Sequence, residues 1–281
     1  MKPLEIIRGF AAYYRQLKSQ RNITRLQGRD ARLLFEEVCA EAQPCFVLST
    51  GRSGTMMLTR LLQLCDTLEV QHQPAPELLW MSKYAYKHYQ KRADELKMAF
   101  VAARYEMIRD AFLNKRQYVE TNNRITFFAY QIAALFPAAR FIHLVRRPEP
   151  FVKSGLARAW YTGSHLHDEG RITPFDSSVE WESFSRIQKI AWLWNETNSF
   201  IEDFKEKTKA EVLSLSSESL FSKPETTCNI MDFLGAEPPP RKQLIKLLSK
   251  PLNAGRQNRD LTVDEQDIIA RLTPLADKYY L

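Results

Sequence analysis

Residues 49–56 read Ser-Thr-Gly-Arg-Ser-Gly-Thr-Met, with the apolar run Cys45, Phe46, Val47, Leu48 in front and the helix-patterned stretch Met57–Leu64 behind. A buried strand that turns through a short glycine loop into a helix builds an anion site. The first N–H groups of the helix lack intrahelical partners, and the helix dipole adds partial positive charge there. Gly51 and Gly54 permit dihedrals and a close backbone approach that a Cβ would block. Arg52 brings a permanent charge and a forked donor suited to a tetrahedral oxyanion. No Gly-Lys-Ser/Thr closes the loop, so it is not a Walker A sequence. The expected ligand carries a phosphate-like group, and ordinary nucleotide-triphosphate hydrolysis is not the expected chemistry.

A second segment repeats the plan. Phe141-Ile142-His143-Leu144-Val145 is another short apolar run, followed by Arg146-Arg147-Pro148-Glu149-Pro150 and a helical stretch from Phe151 to about Tyr161. Pro150 suits a helix start. Arg146 stands at the strand end, and Ser154 lies one to two turns into the helix. Two strand–loop–helix sites in one sheet can hold the two ends of one dianionic cofactor.

Together these segments resemble the sulfotransferases that use 3′-phosphoadenosine 5′-phosphosulfate (PAPS). Ser49–Thr55 is similar to their 5′-phosphosulfate loop, and residues 141–155, with Arg146 and Ser154 eight apart, to their 3′-phosphate motif. Tyr118–Asn123 and Ala134–Arg140 fit the run-up to that motif. Val212–Leu215 and Phe233-Leu234-Gly235 echo the family's late strand and helix end. The likeness covers Pro44–Tyr161 closely and Glu211–Ala236 loosely, and Arg-Ser-Gly is the form found in the Golgi-type and bacterial branch. The resemblance implies that Arg52 holds the 5′-phosphosulfate and stabilises the leaving oxygen, with the N–H groups of Ser53, Gly54, Thr55 and Met56 cradling it. Arg146 and Ser154 would bind the 3′-phosphate. PAP would leave as product, and no metal is required. Sulfuryl transfer then rests on positioning and electrostatics, as phosphoryl transfer does.

A base for the acceptor's proton is where this chain departs from the family. The related glutamate, twenty-one residues after the loop arginine and commonly followed by proline, is here Gln73, followed by Pro74. An amide accepts no proton near neutral pH. Its neighbour His72 has a free imidazole value of ~6.5, suited to general-base work, and Glu77 is the second candidate.

Composition agrees with a soluble globular protein that meets an acidic ligand. The 281 residues are 44% hydrophobic and 26% charged, with a net charge of +7. Lys and Arg are scattered among Asp and Glu with no basic tract carrying interleaved aromatics, which points away from nucleic acid. Cys39, Cys45, Cys65 and Cys228 have no paired spacing and read as reduced thiols. Glu5, Arg8 and Arg15 interrupt Met1–Arg15, which reads as lacking a signal-peptide core, and the longest uncharged stretch, Ile125–Ala139, is too short for a bilayer. A cytoplasmic location is expected. His165, His167 and Asp168 lack further ligands at metal-site spacing.

Strands alternating with helices predict an α/β fold with a central parallel sheet flanked by helices on both faces, a P-loop-like phosphosulfate loop, and extra N- and C-terminal helices. One domain over 1–281 is expected, with 1–43 a helical extension in which Ile6, Ile7, Phe10, Tyr13, Tyr14 and Leu17 form an amphipathic stripe. Strands are expected at Leu68–Gln71, Tyr118–Glu120 and 212–215. Helices are expected along the Leu96–Ala111 stripe, at Ile125–Phe136, from Trp181 to Ile201, at Gln243–Leu248 and at Val263–Ala276. Residues 163–180 read as a loop or lid. Asn253, Gly255 and Arg256 stand where C-terminal segments of the resembling family approach the cofactor. The acceptor is expected to be a small molecule or carbohydrate, flat or partly apolar given Trp80, Tyr84, Tyr86, Tyr89, Trp160 and Tyr161. Two other readings stay open: a P-loop-type kinase or NTPase of small substrates, and a non-catalytic nucleotide-binding relative, which Gln73 favours.

Overall fold

Alternation along the strands decides the layering. All four residues of β1 (Cys45–Leu48) are buried. Phe46 and Leu48 join one hydrophobic core, Cys45 and Val47 the other. This is the period-two pattern of a strand covered on both faces. β2 (Leu68–His72), β3 (Gln117–Thr121), β4 (Arg140–Val145) and β5 (Glu211–Ser216) complete an all-parallel sheet in the order β2-β3-β1-β4-β5. The computed structural model describes residues 26–163, 166–175, 180–222, 224–248 and 260–280. The expected helix around Ile6–Leu17, His165, and Asn253, Gly255 and Arg256 lie outside the described residues.

One face is covered by α1 (Ala31–Glu41), then, after α2 (Thr55–Leu62), by α3 (Leu79–His88), α4 (Ala93–Leu113) and α5 (Ala129–Leu135). α6 (Pro148–Leu156) and, beyond the short α7 (Leu166–Glu169), the long α8 (Arg186–Lys207) extend the same core. α2, α9 (Ser217–Ser222) and α10 (Pro224–Leu234) pack on the other face, with α11 (Arg241–Leu248) behind them. α12 (Val263–Leu272) and α13 (Ala276–Tyr280) return to the first face. There Lys278 Nζ and Tyr279 OH donate to Glu202 of α8 at 2.6 and 2.9 Å. Among the described residues no helix is long and apolar enough to cross a membrane.

The parallel sheet and its two helical layers are as the sequence predicts, and the differences are local. Ile125–Phe136 is not one helix. Residues Asn123–Phe128 form a 3₁₀ segment before α5. Asn122 caps it through Arg124 N, and Thr126 is bonded to both backbone groups of Ser49, which holds the tighter winding. α6 starts at Pro148 rather than near Pro150 and stops at Leu156. The chain must turn there because Trp160 packs against Gly155, where an added Cβ would sit 2.7 Å from the indole. Trp181 and Phe184 precede α8, whose start is fixed by the Ser185–Gln188 capping box. Pro274, which has no N–H to donate, stands between α12 and α13 where one helix was expected.

A buried ion pair ties the helical layer to the sheet. Arg104 Nε lies 2.7 Å from Glu120 Oε2, and both side chains are wholly buried. Tyr118 OH and Asn122 Nδ2 donate to the same carboxylate, and the other guanidinium nitrogens donate to the carbonyls of Pro74, Pro76 and Ala103. Glu120→Gln keeps the shape and leaves a buried cation without its counter-charge. Its unfolding free energy in urea should fall by about 3–5 kcal/mol. A loss below about 1 kcal/mol would mean that the three carbonyls alone satisfy Arg104.

Candidate active site

β1 and β4 are neighbours, yet the helices that follow them lie on opposite faces of the sheet, α2 with the Cys45 and Val47 core and α6 with the Phe46 and Leu48 core. The two loops diverge and open a crevice at the carboxyl ends of the strands, where open α/β sheets bind ligands. His72 and Thr121, the last residues of β2 and β3, stand at the same edge.

The first loop has the geometry of an anion cradle. Gly51, Arg52 and Gly54 adopt φ values of 76°, 55° and 90°, and a Cβ on Gly51 would meet Asn123 at 3.1 Å. Gly54 is the N-cap of α2 and has no side chain to satisfy the helix's first donors. The N–H groups of Ser53, Gly54, Thr55 and Met56 have no hydrogen-bond partner among the described residues. Ser53 Oγ is buried without a partner among the described residues.

Hydrogen bonds join this loop to the second one. Arg146 Nη1 donates to Arg52 O at 2.8 Å, and Arg52 Nε donates to Ser154 Oγ at 3.2 Å. Ser217, just after β5, bonds to Val145 O at 3.1 Å and to Ser53 O. Arg158 enters unannounced by the sequence: its Nη1 donates to Ser154 Oγ at 2.9 Å and to Ser154 O at 3.1 Å. Its only sequence signal is a position four residues after Ser154, one turn on. Burial depresses the basicity of Arg52, and the like charges of Arg158 and Arg146 depress it further. Burial does the same to Arg146, with Glu218 opposing and Arg158 adding to it. Three guanidinium groups thus crowd one site that complements a multiply charged anion.

A cavity of ≈ 380 Å³ opens beside the first loop. Arg52, Thr55, Met56, His72 and Gln73 line it on the anion side, with Arg158. Ser53, Gly54, Arg146 and Ser154 do not line it. Phe127, Trp160, Ile172 and Leu193 also line it, together with Arg124 and Arg171. Trp160 is the one residue of the six sequence-predicted aromatics that lines this cavity. Tyr86 instead donates to Glu196, Tyr89 stacks on Tyr130, and Trp80 borders a separate apolar cleft. The Arg171 guanidinium lies 4.0 Å over the Trp160 ring and pairs with Asp168 at 2.9 Å. Asp168, grouped in the sequence with two histidines, also accepts from the N–H groups of Thr162 and Gly163.

The base candidates separate. His72 Nδ1 lies 2.8 Å from Thr121 Oγ1 and 3.3 Å from Thr59 Oγ1, and the ring lines the cavity. Glu77 does not line it; its carboxylate is paired with Arg124, which does. Gln73 adopts φ 45° and donates through Nε2 to Asn123 Oδ1 at 3.4 Å.

A parallel β2-β3-β1-β4-β5 sheet with a glycine–arginine loop at the first strand and a second arginine at the fourth defines an α/β protein with a candidate anion site. Residues 44–240 match the Sulfotransferase family, and the chain belongs to that family. The reaction class that goes with the family is transfer of a sulfuryl group. Among solved structures the chain is similar to the sulfotransferase domain from the curacin biosynthetic pathway. The identity is 16%, over 83% of this chain and 98% of that one, with a TM-score of 0.49. The sulfotransferase of Alicyclobacillus acidocaldarius gives 16%, 84%, 93% and 0.48 on the same measures. STF1 of Mycobacterium tuberculosis H37Rv gives 17%, 91%, 86% and 0.47. Among curated proteins none matches the chain.

Burial holds the His72 imidazole below its ordinary value, partly opposed by a hydrogen bond with the Thr121 backbone. The sign follows: a folded value under the unfolded ~6.5 gives a stability contribution that is complete above that pH and lost as pH falls through the folded midpoint. Titration of the His72 ring by NMR should therefore show a midpoint under ~6.5. A midpoint above it would mean that a buried negative partner, not desolvation, governs the ring.

Proposed function

We propose that this protein moves a sulfuryl group from PAPS to a hydroxyl or amine of a compact, partly apolar small-molecule or carbohydrate acceptor, releasing PAP. The observation that carries this reading is the junction of the two strand–loop–helix sites, where Arg52, Arg146, Arg158 and Ser154 are joined by direct hydrogen bonds. The residues present fit such a ligand: an uncapped helix start, a buried unpartnered Ser53 hydroxyl and a glycine cradle closed by Asn123. Arg52 and the N–H groups of Ser53, Gly54, Thr55 and Met56 would hold the phosphosulfate end, and Arg146 and Ser154, with Arg158, the 3′-phosphate end.

In this reading His72 Nε2 takes the acceptor's proton while the acceptor oxygen or nitrogen bonds to sulfur. The bond from sulfur to the bridging phosphate oxygen breaks, and that oxygen leaves with the electron pair. Arg52 stabilises the charge gathering on it. Phe127, Trp160 and Leu193 keep water from competing as acceptor. The second reading, a nucleotide-binding relative without turnover, draws on Gln73, whose amide is a donor to Asn123 and no base.

Calorimetric titration with PAP, ATP and ADP tests the cofactor class, and strong preference for PAP is expected. Arg52→Ala should abolish transfer and weaken PAP binding by about 1.5–3 kcal/mol. Arg146→Ala and Ser154→Ala should narrow the ratio of ADP to PAP dissociation constants. An unchanged ratio would remove the 3′-phosphate assignment.

His72→Asn should lower kcat by ~10²–10⁴ with PAP affinity nearly intact, and Glu77→Gln should leave turnover close to wild type. The reverse pattern would transfer the base to Glu77. A sharp gain in Gln73→Glu would favour the reading of a weakened relative.

A further inference from the structure

The protonation of His72 can be counted from its neighbours. The side chain is the cross-strand partner of Thr121, and Thr59, in the second turn of α2, reaches the same point from above the sheet. Three short contacts run in a row: His72 Nδ1 to Thr121 Oγ1 at 2.8 Å, Thr121 Oγ1 to Thr59 Oγ1 at 2.6 Å, and Thr59 Oγ1 to Thr55 O at 2.7 Å. Both threonines are buried, so water does not complete the series.

Each such contact requires one proton between its two heavy atoms, and each hydroxyl has one proton to give. Thr55 O is a carbonyl and only accepts, so the Thr59 proton belongs to it, the usual bond of a helical threonine to the carbonyl four residues back. Thr59 Oγ1 must then accept, and the Thr121 proton fills the 2.6 Å contact. Thr121 has none left for His72, so the proton in the 2.8 Å contact comes from Nδ1. Any other arrangement leaves two oxygens, or an oxygen and a nitrogen, facing each other within 2.8 Å with lone pairs only.

We propose that Thr121 and Thr59 are positioning residues that lock His72 in its Nδ1–H tautomer and so leave a lone pair on Nε2. That nitrogen has no hydrogen-bond partner among the described residues, and its ring lines the cavity. The opposite tautomer would carry a proton on Nε2 and could take none from an acceptor. The role of the lock rests on His72 being the base, and the lock itself is a property of the folded chain. As Nε2 gains the acceptor's proton, the positive charge forming on the ring is met by the Nδ1–H bond already aimed at Thr121.

The test is ¹⁵N NMR of histidine-labelled full chain above the His72 midpoint, with kcat measured alongside. Wild type should carry its proton on Nδ1. Thr121→Val, isosteric but without the hydroxyl acceptor, should raise the share of the Nε2–H form and lower kcat between ~10- and ~10⁴-fold, and Thr121→Ser should restore both. Thr59→Val should act in the same direction, because it frees the Thr121 proton to turn towards Nδ1. A proton on Nε2 in wild type, or an unchanged tautomer in both valine variants, overturns the proposal. Should the proton sit and move as described while His72→Asn keeps full turnover, the lock stands and the assignment of the base fails.

Discussion

The fully buried Arg104–Glu120 pair is the interaction on which the His72 and Gln73 side of the candidate site depends. Removing two charges from water is costly, and a pair survives inside a protein when every donor and lone pair is served. Here the surplus donors of Arg104 go to the carbonyls of Pro74 and Pro76, and the surplus lone pairs of Glu120 go to Tyr118 and Asn122. The same network therefore fixes the chain leaving β2 and the 3₁₀ segment leaving β3. His72, Gln73, Asn123 and Arg124 inherit their places from it.

The anion side is organised by a different constraint, the sharing of one edge by like charges. Sheet order puts the loops after β1 and β4 side by side, and opposite-face packing of α2 and α6 separates them enough to leave a crevice. Arg146 spans it to the Arg52 carbonyl, and Ser154 gathers Arg52 and Arg158 on one hydroxyl. Mutual repulsion in a half-buried setting is unfavourable without an anion, and the uncapped α2 start adds positive potential on the same side.

Between the two sides the cavity is mixed in chemistry. Its lining combines guanidinium groups with aromatic and aliphatic side chains, and Arg171 is stacked on Trp160. Gln73 is part of that lining, with its amide turned to Asn123, beneath Gly51. An amide there donates to Asn123, a task that an ionised carboxylate could not perform.

The sequence by itself determined the parallel sheet, the two strand–loop–helix sites and the family, because these rest on local patterns: apolar runs, glycines next to a helix start, and an arginine eight residues before a serine. It also offered His72 and Glu77 as base candidates by proximity to Gln73. Tertiary structure alone decided between their surroundings, pairing Glu77 with Arg124 and setting His72 on the cavity wall. Arg158 was hidden because its role depends on where the turn after α6 swings, and that turn is set by Trp160 packing on Gly155. The threonine relay was hidden because Thr59, His72 and Thr121 come from a helix and two strands. Their hydroxyls and ring meet only through strand register and the tilt of α2 on the sheet. Short-range propensity is written along the chain, whereas proton placement is a matter of tenths of an ångström across it.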